Sequence, residues 1–530
     1  MSLKENFFTD PFKFDESLYS PGDKEVIEKQ VPTTRKELWG YYLYYNGDNG
    51  LPIFSYITNL MLYLPYNAGF DPTSPTPNTP CNQNDNTKPC NVYFGSGSVP
   101  VTSLSLYIQA IGFVIQFLLF TTFGALADYG RWNVRILFIA TIIACATQII
   151  PMAFQDASSW PAMMAITIIA SISYGTTLVF YAAAFPTLTY NLPIVRAARA
   201  SNMPEEEVAL VTEKWLNHVS TISTTWSNIG LLLVTGSLAA IAQAPYGESI
   251  IGNYPIFNNI GTAFCGAFWV ANAIWYFIWI PKERVGPPLP KETNVLTVGW
   301  ISLFRAVREA RRLKYAFLYI IAYFMFSDGV STINSLLGTT LLNLVTGIAS
   351  ILGCVVLLWF QKLVGLSTKW ALMIILGATA LIPLWGTFGI GFTTWGIHTK
   401  TELWLVFFWS GFATAPVYAW QQTMLAELTP KGKAGLFFGL FGVANKASSW
   451  IGPLVIGAIT NVTNNVWDGW PFVLALFVIP MIMIFFIDEN QARIDIAEYD
   501  RIEADAEAAA AQGTYSPETY SPEKAISGKL

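Results

Sequence analysis

Long apolar runs alternate with short polar connections from residue 38 to residue 487. Many of the runs reach about 20 residues, enough for a helix to cross a hydrocarbon core of about 30 Å. The pattern predicts about twelve spans, at roughly 38–64, 104–127, 134–154, 161–185, 219–242, 262–280, 315–336, 341–360, 369–390, 403–425, 435–460 and 471–487. The short alternating strands of a transmembrane barrel are absent. The expected fold class is an all-α integral membrane protein.

One polar stretch interrupts this rhythm. "YYNGDNGLPI", residues 44–53, carries strong turn signals inside an apolar neighbourhood. Were 46–50 a loop, residues 38–45 would make only about 12 Å of helix, too short to cross. The first span must therefore run through Asn46, Asp48 and Asn49, which puts Asp48 about 15 Å deep, near the bilayer centre. A carboxylate there costs about 2.5–3.5 kcal/mol on an insertion scale. Such residues face a bundle interior or a watery cavity. Gly47, Gly50 and Pro52 loosen the helix around it. Two readings stand: a packing kink with a protonated Asp, or a broken helix built as a midplane site.

A similar polar break is expected in the seventh span, at Asp328-Gly329 of "FMFSDGVSTINS". The eleventh span carries Lys446 at comparable depth, within "FGVANKASSWIGPL". Two carboxylates and an amine at one level either pair with each other or grip a zwitterion, Asp on the ammonium and Lys on the carboxylate. The carboxylates could also carry protons. Spans three, six, nine and twelve have no charged residue in their interiors and read as outer, lipid-facing helices. Spans five and ten are polar at "STISTTWSN" (220–228) and "YAWQQT" (418–423, with Gln421). These either line a path or satisfy neighbouring helices. "GLFFGLFG" (435–442) reads as a small-residue packing face.

Composition agrees with the spans. The 530 residues are 53% hydrophobic and 12% charged, against about 25% charged in soluble domains. The net charge of −5 says little, because the basic residues cluster. If both termini lie inside, the inside loops hold nearly all of them and the outside loops only Lys88 and Lys400, as the positive-inside rule requires. The longest internal connection, 281–314, divides the spans six and six. Its "ISLFRAVREARRLKYAF" segment reads as an interfacial helix, touching anionic lipid or serving as a linker. The first 36 residues lack the apolar core of a cleavable signal, so the first span does the targeting.

Five cysteines are present. Cys145, Cys265 and Cys354 read as small core residues. Cys81 and Cys90 could pair if their loop faces an oxidising compartment, and their spacing is no metal pattern. Two histidines and the lack of a nucleophile–base motif argue against an enzyme. No cofactor or nucleic-acid partner is expected. Asn461-Val-Thr463 is a glycosylation sequon. The acidic, Ala-rich tail 488–530 ends in "TYSPETYSPEK", reads as disordered and offers two Ser-Pro sites for phosphorylation.

"GALADYGRW", residues 124–132, resembles the signature of the major facilitator superfamily, with one residue fewer between Asp128 and Gly130. The resemblance implies a tight cytoplasmic turn formed by Gly124, Asp128, Gly130 and Arg131. Asp128 would meet the positive end of a neighbouring helix, Arg131 would pair locally, and the contacts would lock one access state. The second half has only "FQKLVGLSTK", without the Asp. More narrowly, "RKELWGYYLYY", "FSDGVSTIN" and "AELTPKGKAGLFFGLFGVANKASSWIGPL" resemble the vacuole-effluxer family, the fungal autophagy-related protein 22 transporters, over most of 33–488. The family motifs fall on Asp328, Gly329, Lys446, Ser448, Trp450, Gly452 and Pro453. The connection at 337–340 is shorter than relatives are expected to have.

This resemblance implies a major-facilitator-like fold of two six-helix halves. The organisation would be a cytoplasmic tail 1–36, a first half 37–280 with lumenal loop 66–100, a linker 281–314, a second half 315–487 and a tail 488–530. It implies a monomeric vacuolar permease with both termini cytoplasmic. Such a permease would release neutral amino acids such as leucine, isoleucine and tyrosine after autophagic degradation. A facilitator for another small solute, or a non-transporting membrane sensor, are the alternatives.

Overall fold

The computed structural model describes residues 10–12, 31–48, 51–76, 78–81, 90–95, 97–201, 203–243, 254–289, 294–308, 313–336, 342–392, 395–430, 433–449, 451–463 and 466–511. Among them, ten helices are long and apolar enough to cross a membrane. In chain order these are α3 (Val101–Phe123), α4 (Trp132–Ile149), α5 (Trp160–Tyr190), α7 (Glu205–Gln243), α8 (Tyr254–Trp279), α10 (Lys314–Leu336), α11 (Leu342–Val364), α12 (Thr368–Phe388), α13 (Lys400–Glu427) and α16 (Trp470–Phe485). The short amphipathic α6 (Pro193–Ala200) joins α5 to α7, and α9 (Val298–Arg308) lies in the inter-half connection.

The first and eleventh predicted spans are each a pair of helices. α1 (Arg35–Gly47) opens on a capping box, with the Thr34 side chain taking the Glu37 N–H and the Glu37 carboxylate taking the Thr34 N–H. It ends where the Asp48 N–H donates to the Tyr44 carbonyl, and α2 (Leu51–Ala68) follows. Both run along α8. A Cβ on Gly40 would meet the Tyr276 Cα at 2.9 Å and one on Gly47 the Asn272 Cβ at 2.8 Å. Further along, a Cβ on Gly261 would strike the Tyr56 ring, and Asn59 bonds Asn258. The helical run expected through the polar motif is thus two helices, α1 ending at Gly47 just before Asp48 and α2 beginning at Leu51.

The second pair is α14 (Ala434–Ser448) and α15 (Ile451–Thr463), which follow each other along α10. Phe437 meets Phe317, Phe441 stacks on Tyr323, Asn445 bonds Ser327, and Gly452 bonds Asp328. The expected break in the seventh span is not formed: α10 runs unbroken through Asp328-Gly329. A Cβ on Gly329 would meet the Phe477 ring at 2.7 Å, so this glycine serves close packing against α16.

Before α3, a hairpin of β1 (Asn91–Phe94) and β2 (Gly97–Pro100) forms in the 66–100 connection, tied by the Cys81–Cys90 disulfide. Cys145, Cys265 and Cys354 are free and buried, as expected. The tail departs from the disorder expected of it. Residues Glu489–Ala511 form α17, whose first turn is capped by Asp488 accepting from the Asn490 and Gln491 N–H groups. Ala492 and Tyr499 are buried, and Arg493 pairs with Glu213 of α7. Alanine supplies helix propensity and a few anchors supply docking, which outweigh the acidic composition. The Ser-Pro repeat and the 337–340 connection lie outside the described residues.

Candidate functional site

A cavity of about 400 Å³ lies between the halves. Its walls come from α1, α3, α5 and α7 on one side and α10, α11, α13 and α14 on the other. None comes from α4, α8, α12 or α16, the helices read as outer from their lack of interior charge.

Asp48 is one of the lining residues. It is 1% exposed, and neither carboxylate oxygen has a hydrogen-bond partner within normal geometry among the described residues. The interruption after Gly47 aims this side chain inward, and the Tyr174 hydroxyl of α5 lies toward it. An unsatisfied buried carboxylate is expensive, and its lining of an open volume is the usual mark of a ligand position. Tyr45, Tyr181, Tyr323 and Tyr418 add aromatic walls, and Thr224, Ser227 and Asn228 of α7 add polar groups. Of the polar run 220–228, Ser223, Thr224 and Thr225 also bond carbonyls of their own helix.

The remaining expected site residues divide. Gln421 lines the cavity, and its carbonyl accepts from Tyr319. Asn46 does not line it: its amide donates to the Trp226 carbonyl at 2.7 Å and fixes α1 on α7. Asp328 does not line it either. Its carboxylate accepts the Gly452 N–H at 3.0 Å and so holds the first turn of α15, where a negative group is favoured by the orphan N–H groups and the dipole. Asn49 and Trp450 lie outside the described residues. Lys446 and Asn461 are in α14 and α15, with side chains outside the description. Sequence reasoning does not single out Asn445, which faces the cavity and donates to both the Tyr323 hydroxyl (2.7 Å) and Ser327 Oγ (2.8 Å). The one signal for it in the sequence is a polar residue directly before Lys446 in an apolar span.

The signature turn of the first half meets the start of α14 in the second. Asp128 accepts from the Gly435 N–H at 2.7 Å and the Leu436 N–H at 3.3 Å, at the N-terminus of α14. The close approach requires glycine: a Cβ on Gly435 would meet the Gly124 carbonyl oxygen at 2.5 Å. Gly130 has a positive φ of 50°. Its N–H donates to the Pro287 carbonyl, and its carbonyl accepts from the Gly286 N–H. Arg131 forms no ion pair among the described residues, in contrast to the expected local pairing. Further contacts tie the halves at this end. Thr368 donates its backbone N–H to Glu213 and accepts from Asn217, and Tyr190 donates to the Ala426 carbonyl. Two more inter-half hydrogen bonds, Lys362 with His218 and Ser220 with the Ala419 carbonyl, lie near this end.

Comparison with known proteins agrees with this architecture. The profile of the family described as "Vacuole effluxer Atg22 like" matches residues 33–497. The chain is similar to "Autophagy-related protein 22" of Yarrowia lipolytica, 24% identical over 471 residues, covering 77% of this chain and 79% of that one. It is also similar to the protein of that name in Kluyveromyces lactis, 26% identical over 442 residues, covering 76% and 83%. Among solved structures, the fold is similar to the E. coli fucose:proton symporter, with a TM-score of 0.54 and 11% identity over 85% of this chain and 97% of that one. A proton:xylose symporter of the major facilitator superfamily gives 0.53, with 13% identity over 88% and 97%. The chain belongs to the Atg22-like vacuole effluxer family and has the major facilitator fold.

Proposed function

From that membership we propose that the protein is a vacuolar membrane transporter that releases neutral amino acids, leucine, isoleucine and tyrosine among them, from the lumen to the cytosol by alternating access. Counted as one crossing each, the two helix pairs bring the ten long helices to twelve. An even number puts both termini on one side, the cytosolic side by the basic-residue asymmetry. The hairpin with its disulfide then faces an oxidising lumen.

The observation that carries the reading is Asp48, a buried carboxylate with no hydrogen-bond partner of normal geometry among the described residues, on the wall of an inter-half cavity. It offers a counter-charge to a substrate ammonium. The aromatic rings offer apolar contact and a cation–π face, and Asn445, Gln421 and Lys446 are candidates for the substrate carboxylate. A volume of about 400 Å³ falls within the range of small-molecule sites. Asp48 is also the group on which a proton could ride. The motif-end contacts support a state closed to the cytosol, in which substrate enters from the lumen.

The test is efflux of leucine and tyrosine from preloaded vacuolar vesicles, with wild type beside Asp48→Asn. Flux that the variant loses at unchanged protein level supports the reading. Unaltered flux in the variant, or no amino-acid flux from correctly placed wild type, refutes it.

A further inference from the structure

A second crevice, of about 560 Å³, opens at the motif end, apart from the central cavity. Its walls are the ends of α1, α5 and α8, the signature turn, α6 and the connecting segment 284–287, with Ala426, Thr429, Pro430 and Ala434 of the second half opposite. Three arginines line it: Arg131 from the turn, Arg199 from α6 and Arg284 from the connection after α8.

The charges here do not balance. Two acids share the crevice, and each is already engaged. Glu37 is held by Arg284 through two nitrogens, one bond being 2.8 Å from Nη2 to Oε2. Asp128 is taken up by the first N–H groups of α14. Arg131 and Arg199 form no ion pair among the described residues. The Arg284 side chain is only 10% exposed, yet its third nitrogen, Nη1, has no hydrogen-bond partner among the described residues. The Asn133 amide oxygen on the same wall is also unpartnered, and the amide could turn to offer N–H instead. Just outside, the Arg196 guanidinium is pushed below its ordinary value by burial and by repulsion from Arg199 and Arg284. A buried donor left unmatched among repelling cations is a costly arrangement, and an anion relieves both costs at once.

We propose that this crevice is a binding site for a phosphate monoester, recognised by Arg131, Arg199 and the free Nη1 of Arg284. Guanidinium groups suit phosphate because their forked N–H donors match its oxygens two at a time. The volume admits a group larger than a simple ion. The site lies at the membrane face, where the phosphate arrives either on a phosphoinositide headgroup or on a soluble inositol phosphate. Its far wall belongs to the second half, so it is complete only while the halves meet here, and an occupant favours that arrangement.

The test is the thermal unfolding midpoint of the full-length protein in nanodiscs, in two arms. In one, phosphatidylcholine discs are titrated with inositol hexakisphosphate. In the other, part of the phosphatidylcholine is replaced by phosphatidylinositol phosphate. The midpoint should rise in at least one arm. A rise with lipid alone assigns the headgroup, and a rise with the soluble probe assigns the free phosphate. Arg199→Gln should weaken the apparent affinity about tenfold, the worth of one charge-assisted bond, and Arg131→Gln should do the same. Arg135→Gln, on the exposed side of α4 outside the crevice, should leave it unchanged. Arg199→Gln decides the matter if Arg131→Gln fails to fold. No rise in either arm, or an equal loss in Arg135→Gln, overturns the proposal.

Discussion

Replacing Asp128 by Asn should open the motif end. The wild-type carboxylate accepts from Gly435 N at 2.7 Å and from Leu436 N at 3.3 Å. An Asn keeps one acceptor for the shorter bond but turns an NH₂ toward the Leu436 N–H, donor against donor. The removed charge at the helix N-terminus is worth about 0.3–1 kcal/mol, and the lost charge-assisted bond, long as it is, about 1.5. Together they come to about 2 kcal/mol, all of it stabilising the closed arrangement. That shifts the balance between closed and open about 30-fold. The assay is alkylation of a cysteine placed at Ser227 on the cavity wall, by an impermeant maleimide added on the motif side. The background lacks Cys145, Cys265 and Cys354. Asp128→Asn should raise the labelling rate by up to about 30-fold at unchanged protein level. An unchanged rate, or wild type already labelled as fast as unfolded protein, would refute the view that this contact holds the end shut.

Asp328→Asn should weaken the cap of α15 and cost about 0.5–2 kcal/mol in thermal stability while leaving flux per folded molecule intact. Lost flux at unchanged stability would return Asp328 to the substrate path. Gly230→Ala places a Cβ against the Asn46 carbonyl oxygen where α1 crosses α7, and should cost about 1–3 kcal/mol through overpacking. A midpoint within error of wild type would contradict that close approach. Cys90→Ser opens a loop closed across a separation of 9 residues, and should remove about 2–3 kcal/mol of local stability by loop-closure entropy. Faster proteolysis of the β1–β2 hairpin is the readout, and unchanged protection would show that packing alone holds it.

The sequence reveals depth well and direction poorly. Asp48 was legible because chain length alone forces the first span through it, and a midplane carboxylate needs a polar surrounding. The helices that stay off the cavity wall, α4, α8, α12 and α16, were legible from their lack of interior charge. Asp128 was legible through its motif and its mate is a helix terminus, as the dipole argument requires. Asp328 sits as deep as Asp48 by residue count, but whether a side chain at that depth faces the cavity or a neighbouring helix depends on how α10 is rotated against α15. That rotation is set by Gly452 and Phe477, far away in the chain, and is invisible to spacing. The helix at 489–511 escapes composition for a related reason: composition weighs charge, while docking depends on a few residues such as Ala492 and Tyr499.

The stitching of Gly130 to Gly286 and Pro287 bears on how far the halves can travel. Beyond it, α9 is moored to α3 by the Trp300 indole on Thr122, with Gly299 against the Thr121 carbonyl. The connection between the halves is long in sequence, but its described stretches pack chiefly on the first half, with Leu303 of α9 also reaching the cluster of Ala125 and Leu436. Five positions beyond Arg308, Leu313 is buried in the core shared with α10. Five residues reach at most about 17 Å. Covalent reach therefore keeps the start of α10 within that distance of the end of α9 in every arrangement of the halves. Any rocking must keep that junction close, leaving larger displacements to edges away from it.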